Sequence, residues 1–233
     1  MNFDRLAPHY TWMEKVLAGP RLQQCRVAWL EHLAGCEHIL IAGVGHGHFL
    51  RACAQRFPLA TITCVDASAR MLTFARRQAG PHHRRLDFVH ASLPEWLPPP
   101  ATFDAVVTHF FLDCFEPARL PVVVDGLARA LRINARWLVA DFTLPRHGWR
   151  RQRARAVHAA MYAFFRPIAG VRARCVTPPD SLLRERGFVL MHRTTREWGL
   201  LQSDVWTRGQ HLNHGGQDQS GRSFDQQHPS GEE

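Results

Sequence analysis

Lysine is almost missing from this chain. Lys15 is the only one among 29 basic side chains, so 28 are arginine. So lopsided a ratio reads as the mark of a GC-rich genome rather than of a nucleic-acid partner. Tyrosine is also scarce, with only Tyr10 and Tyr162. No apolar run approaches the ~20 residues that a bilayer-spanning helix needs, so no such helix is expected. The start, MNFDRLAPHY, lacks a basic segment followed by an apolar stretch, so no secretory leader is expected. The six cysteines (Cys25, Cys36, Cys53, Cys64, Cys114, Cys175) make no CxxC pair and no regular framework, which excludes a disulfide-stapled scaffold. Most lie inside apolar runs and read as reduced, buried thiols of a cytoplasmic protein.

What remains is ample material for one core: 45% of 233 residues are hydrophobic. The formal charge of +9 favours anionic surfaces. Its densest cluster is Arg146, Arg150, Arg151, Arg153 and Arg155. A solvated helix face is the plain reading of that cluster, and a docking patch for anionic lipid or RNA is the other. From residue 209 the chain is polar and rich in Gly, Gln, Ser and His, so 209–233 is expected to be a disordered tail.

Short apolar runs alternate with amphipathic segments. A helix is expected over 21–33, opened by Pro20. Strands are expected at 38–42, 61–65, 86–90, 104–108 and 136–142. Helices follow at 47–57, at 68–78 with Ser68 as cap, and at 120–131. This is the pattern of βαβ units, hence an α/β fold with a parallel sheet and helices on both faces. A long arginine-rich helix over 149–165 comes next. A short helix at 180–186 ends at Gly187. Extended segments at 188–194 and 198–206 are expected to pair antiparallel at the sheet edge. Residues 1–208 form one domain in this reading, with a helical cap at 1–35 and a substrate lid at 146–176.

The chemistry concentrates in IAGVGHGHFL, residues 41–50. Gly43, Gly45 and Gly47 alternate between a strand and a helix, where a ligand can lie against bare backbone. Asp66 ends the next strand, 19 residues after Gly47, close to the ~20 expected of an acid that grips ribose hydroxyls. A ligand-free tight turn and a helix cap are the plain alternatives. A dinucleotide fingerprint would put a small residue where His48 stands.

With ILIAGVGHG, VDAS followed by Met71 and Leu72, FVHAS, and FDAVVTHFFLDCF in this order, residues 3–208 resemble the class I S-adenosylmethionine-dependent methyltransferases. The resemblance implies a three-layer Rossmann-like fold whose seven-stranded sheet is mostly parallel and carries an antiparallel edge hairpin. It implies S-adenosylmethionine as co-substrate and a small, aromatic or lipophilic methyl acceptor as partner. Gly43, Val44, Gly45 and Gly47 would line the methionine and ribose parts. Asp66 would accept both ribose hydroxyls. Ala67 and Met71 would touch the adenine face, and Ala91, Ser92 and Leu93 its edge. His109 would sit beside the sulfur, and Tyr10 would close over the cofactor. Two positions depart from the family pattern. Ile41 replaces an acid before the first glycine, and Ser92 replaces an Asp at the adenine amino group.

Methyl transfer needs a general base only for a protonated acceptor. His109, with an ordinary pKa near ~6.5, and Asp113 are the candidates. Asp113 as a helix cap and His109 as a packing residue are the alternatives. Asp141 either faces the acceptor or closes a turn. Cys114 reads as a small buried residue. His46, His48, His82 and His83 read as surface loop histidines rather than metal ligands, and Trp96 as packing. Trp12, Met13, Met161, Tyr162, Phe164 and Phe165 are candidate acceptor contacts. Two other functions stand beside the methyltransferase: a non-catalytic cofactor- or RNA-binding relative, and an NAD(P)-dependent oxidoreductase.

Overall fold

The computed structural model describes residues 20–169 and 176–209, with side chains given to residue 164 in the first span. Tyr10, Trp12, Met13, the side chain of Phe165, Cys175 and the polar tail past residue 209 lie outside it.

Strands β1 (His38–Ala42), β2 (Thr61–Asp66), β3 (Leu86–His90), β4 (Phe103–His109), β5 (Leu131–Phe142), β6 (Phe188–Arg196) and β7 (Leu201–Arg208) form one sheet in the order β3-β2-β1-β4-β5-β7-β6. The first five neighbours are parallel. Only β7 runs against its neighbours, between β5 and the edge strand β6.

The helices are α1 (Pro20–Val27), α2 (His48–Arg56), α3 (Ala69–Ala79), α4 (Leu120–Ala130), α5 (Gly148–Ala169) and α6 (Asp180–Glu185). Strand side chains alternate between the faces. On β1, Leu40 and Ala42 join the core beneath α4 and α6, with Trp137, Trp206 and Phe188. Ile39 and Ile41 join the opposite core beneath α2 and α3, with Leu50, Cys53 and Leu72. Two polar anchors hold the periphery. Asp104 accepts the N–H groups of Glu37 and His38, each at 2.9 Å, and pairs with Arg132. Arg193 of β6 clamps the buried Asp204 of β7 and reaches Asp180 of α6 at 2.7 Å.

Three boundaries differ from expectation. The 21–33 helix stops at Val27 and resumes as a 3₁₀ turn, Leu30–Leu33. Between them the Trp29 indole donates to the Ser203 carbonyl at 2.9 Å and stacks on His192, an anchorage that pulls the chain off the helical path. Strand β5 begins at Leu131, leaving α4 at Ala130. The last strand begins at Leu201, because Trp198 lies in the connecting turn Glu197–Gly199 with a left-handed φ of 54°. On the edge strand β6, pairing with β7 shifts between Leu190 and His192.

Candidate functional site

The loop after β1 is laced to the end of β2. The Val65 carbonyl accepts the N–H of Gly43 at 2.8 Å and that of Val44 at 3.3 Å. Gly43, Gly45 and Gly47 take φ of 74°, 54° and 84°, a region that side chains disfavour. A Cβ on Gly43 would collide with the Phe111 ring. One on Gly47 would stand 2.7 Å from the Ala75 Cα, so this glycine lets the loop approach α3.

Asp66 faces the loop from the tip of β2. Its Oδ2 accepts the Gly45 N–H at 3.0 Å, and its Oδ1 accepts the Ser68 N–H at 2.9 Å. Ser68 in turn caps α3, its hydroxyl accepting the Met71 N–H at 3.1 Å. Asp66 is thus spared the capping task.

A cleft opens at the carboxyl ends of the strands. Gly43, Gly45 and Asp66 form its floor. Ala67, Met71, Ala91, Ser92 and Leu93 form one wall, and His109, Phe110, Phe111 and Phe115 the other. A second, smaller cavity adjoins it behind His109, between the glycine loop and α1. Val44 and Gly47 line only this second cavity, together with Ile41 and Arg26. Tyr10 lies outside the described residues.

His109 lines both cavities, as Gly43 and Gly45 do. Beyond it the chain turns at Phe110, whose φ is 53° and whose N–H meets the Ala140 carbonyl. The His109 ring packs edge-on to Phe49, with centroids 4.5 Å apart. Its Nδ1 is buried without a hydrogen-bond partner among the described residues. Burial first, and then the Arg26 charge, lower its pKa from 6.5 to about 3. The expected proton acceptor of ordinary basicity is therefore a neutral, weakly basic imidazole.

Arg26 gave no signal in the sequence, as one arginine among 28. In the fold it is buried on α1 in line with Leu22 and Cys25, its guanidinium 5.2 Å from the centre of the Phe110 ring.

Asp113 is placed differently from the expectation. It lines neither cavity and caps no helix; it is buried in the 3₁₀ turn Leu112–Cys114. Its carboxyl is enclosed beside that of Asp141, near the end of β5. Burial raises both pKa values, and at Asp141 the neighbouring carboxyl adds to the rise. Two carboxyls enclosed together hold a proton between them. The Tyr162 hydroxyl of α5 donates to the Asp113 carbonyl at 3.3 Å, so Tyr162 is buried against this turn. Met161 is buried and Phe164 half-buried.

Burial also pushes the Cys25 and Cys53 thiols up to about 12 and holds Cys114 well above the ordinary thiol range, so none is an activated nucleophile. His46 is buried rather than on the surface, its ring stacked on Phe74 at 4.9 Å and parallel to that of His48. Trp96 packs on the core beneath α4. Among the described residues, no three His, Cys, Asp or Glu side chains converge as a metal site would require.

Residues 39–134 match the family model described as a methyltransferase domain. A ubiquinone/menaquinone biosynthesis C-methyltransferase of Syntrophotalea carbinolica is 32% identical over 146 residues, 61% of this chain and 60% of the relative. A trans-aconitate 2-methyltransferase of Streptomyces avermitilis is 40% identical over 91 residues, 37% of this chain and 33% of the relative. The chain thus spans less than two thirds of the length of these curated relatives. Among solved structures, the 1,6-didemethyltoxoflavin-N1-methyltransferase of Burkholderia thailandensis, bound to 1,6-didemethyltoxoflavin and S-adenosylhomocysteine, superposes with a TM-score of 0.61 at 18% identity, covering 88% of each chain. Residues 39–134 thus carry the likeness of a methyltransferase domain, and the sheet order and the superposition give the chain the Rossmann-like methyltransferase fold.

Proposed function

We propose that this protein transfers a methyl group from S-adenosylmethionine to a small aromatic or lipophilic metabolite. One observation carries the cofactor reading. The Asp66 carboxylate is fixed by backbone N–H groups at the tip of β2, facing a bare glycine loop across an open cleft. The residues fit an adenosyl group. The carboxylate suits ribose hydroxyls, and Ala67, Met71 and Leu93 offer an apolar seat for a flat base. Ser92 supplies a hydroxyl in place of a carboxylate at the adenine edge, a weaker acceptor. Ile41 supplies no charge for the methionine ammonium. Arg26, in the same cavity wall, suits the methionine carboxylate.

The cofactor supplies an activated methyl group with its leaving group built in. The protein holds and aligns the acceptor and keeps water away. Phe110, Phe111 and Phe115 give the cleft an aromatic wall, and Phe142 packs on Phe110 at 5.2 Å. That wall favours a flat or greasy acceptor over a strongly hydrated one. His109 takes the part of a neutral wall that orients the reacting end, with Asp113 buttressing the turn beneath it through Asp141.

Calorimetric titration of the full chain with S-adenosylmethionine, S-adenosylhomocysteine, NAD and NADP tests the cofactor reading. Binding of the first two alone is expected. Binding of a nicotinamide dinucleotide instead sinks it. Formation of S-adenosylhomocysteine over a panel of quinols, phenols and polar acids then tests the acceptor class. Turnover only with the polar acids contradicts the aromatic assignment.

A further inference from the structure

The carboxyl-terminal rim of the sheet carries a second surface, separate from the cleft. Trp149, at the start of α5, and Trp198, in the β6–β7 turn, meet at 6.1 Å with their rings tilted by 56°. They are 59% and 53% exposed. Arg150 lies over the Trp149 ring at 5.8 Å and Arg153 over Trp198 at 4.6 Å. Arg146 is exposed on the approach to α5. Among the described residues, neither Arg146 nor Arg150 has a carboxylate partner, whereas Glu197 is held by Arg21 at 2.7 Å.

The exposure of Trp198 is built in. Glu197 and Trp198 both have φ of 54°, a costly conformation for residues with side chains. The turn is pinned by Arg153, which donates to the Glu197 carbonyl at 3.3 Å, and by Pro145 packed beneath Gly199. A merely solvated face explains arginines, but not two half-exposed indoles, one of them held by a strained backbone.

We propose that this Trp149–Trp198 face docks on the surface of an anionic phospholipid bilayer. Indoles settle at the boundary between headgroups and hydrocarbon, and unpaired arginines are attracted to anionic headgroups. The tilted rings, each already covered by a guanidinium, offer no parallel platform for successive nucleic-acid bases. The face also lies on the same rim as the cleft. Phe142 pairs with Leu201 just beyond the turn, and Ala140 pairs with His109. Docking would therefore turn the cleft's rim toward the membrane. The proposal goes beyond the methyltransferase reading and does not depend on it.

Sedimentation of the full chain with vesicles of phosphatidylcholine, with and without phosphatidylglycerol, tests it at physiological ionic strength. Partition onto the anionic vesicles alone is expected. The double variants Trp149→Ser/Trp198→Ser and Arg146→Glu/Arg150→Glu should each weaken it about tenfold or more, with melting temperature and S-adenosylmethionine binding unchanged. Equal sedimentation with neutral vesicles, none with either kind, or variants that partition like the parent chain would overturn it. So would absent vesicle binding accompanied by binding to single-stranded RNA that the same variants abolish, which would make the face a nucleic-acid surface. Cofactor titration, read separately, reports on the cleft whatever the vesicles do.

Discussion

The Asp66 carboxylate and the Gly45 N–H meet at 3.0 Å across the tips of two neighbouring strands, so the acid shapes the loop it faces. Replacing Asp66 by Ala removes both the proposed acceptor for ribose and the brace on the loop. Cofactor affinity should fall by on the order of 1.5–3 kcal/mol, the range for hydrogen bonds to a charged group. Calorimetry checks this, and an unchanged dissociation constant contradicts the assignment.

His109 should behave as a neutral group over the whole working range. Its pKa is lowered from 6.5 to about 3, chiefly by burial. A histidine buried neutral gives stability that is present above its unfolded pKa and lost as pH falls toward the folded one. Between pH 6.5 and 5 the loss is about 2 kcal/mol at most. His109→Gln should therefore melt progressively closer to, or above, the parent protein as pH falls from 7 to 5. In a turnover assay, the kcat profile of the parent should show no limb near pH 6.5. A limb there that His109→Gln abolishes restores the general-base role.

The Asp113–Asp141 pair should act in the opposite sense. Both pKa values are raised, first by burial. The pair's stabilising contribution is full below the ordinary carboxylate range and drains as pH rises through the raised values. Asp141→Asn keeps the shape and a polar neighbour for Asp113 while removing one ionisable group. Its melting temperature relative to the parent protein should climb between pH 4.5 and 8. A flat difference in scanning calorimetry shows that the two carboxyls do not share a proton.

Gly47→Ala places a Cβ 2.7 Å from the Ala75 Cα at a φ of 84°. Backbone cannot yield as a flexible side-chain tip can. A loss of about 1–3 kcal/mol in urea unfolding is expected. A variant as stable as the parent would show that the loop and α3 have room between them.

The sheet was readable from short apolar runs, and 38–42 and 86–90 match to the residue. The first is buried on both faces, as a central parallel strand is. Local signals failed where distant contacts decide. Trp29 breaks the first helix by bonding to Ser203, 174 positions away. The site divides along the same line. The glycine spacing and Asp66 are local features and stood out. Arg26 gains its place only when α1 folds over the glycine loop, and the basicity of His109 is set by burial that no motif encodes.

The sheet has two outer rims, and each is poorly shaped for recruiting a neighbour. At one, β3 is only five residues long. At the other, β6 changes step beside β7 and carries His192 and Arg196 into solvent. A flat, unbroken, uncharged border is what lets a foreign strand zip on. Neither border is of that kind, so strand-by-strand extension from one molecule into the next is opposed at both ends.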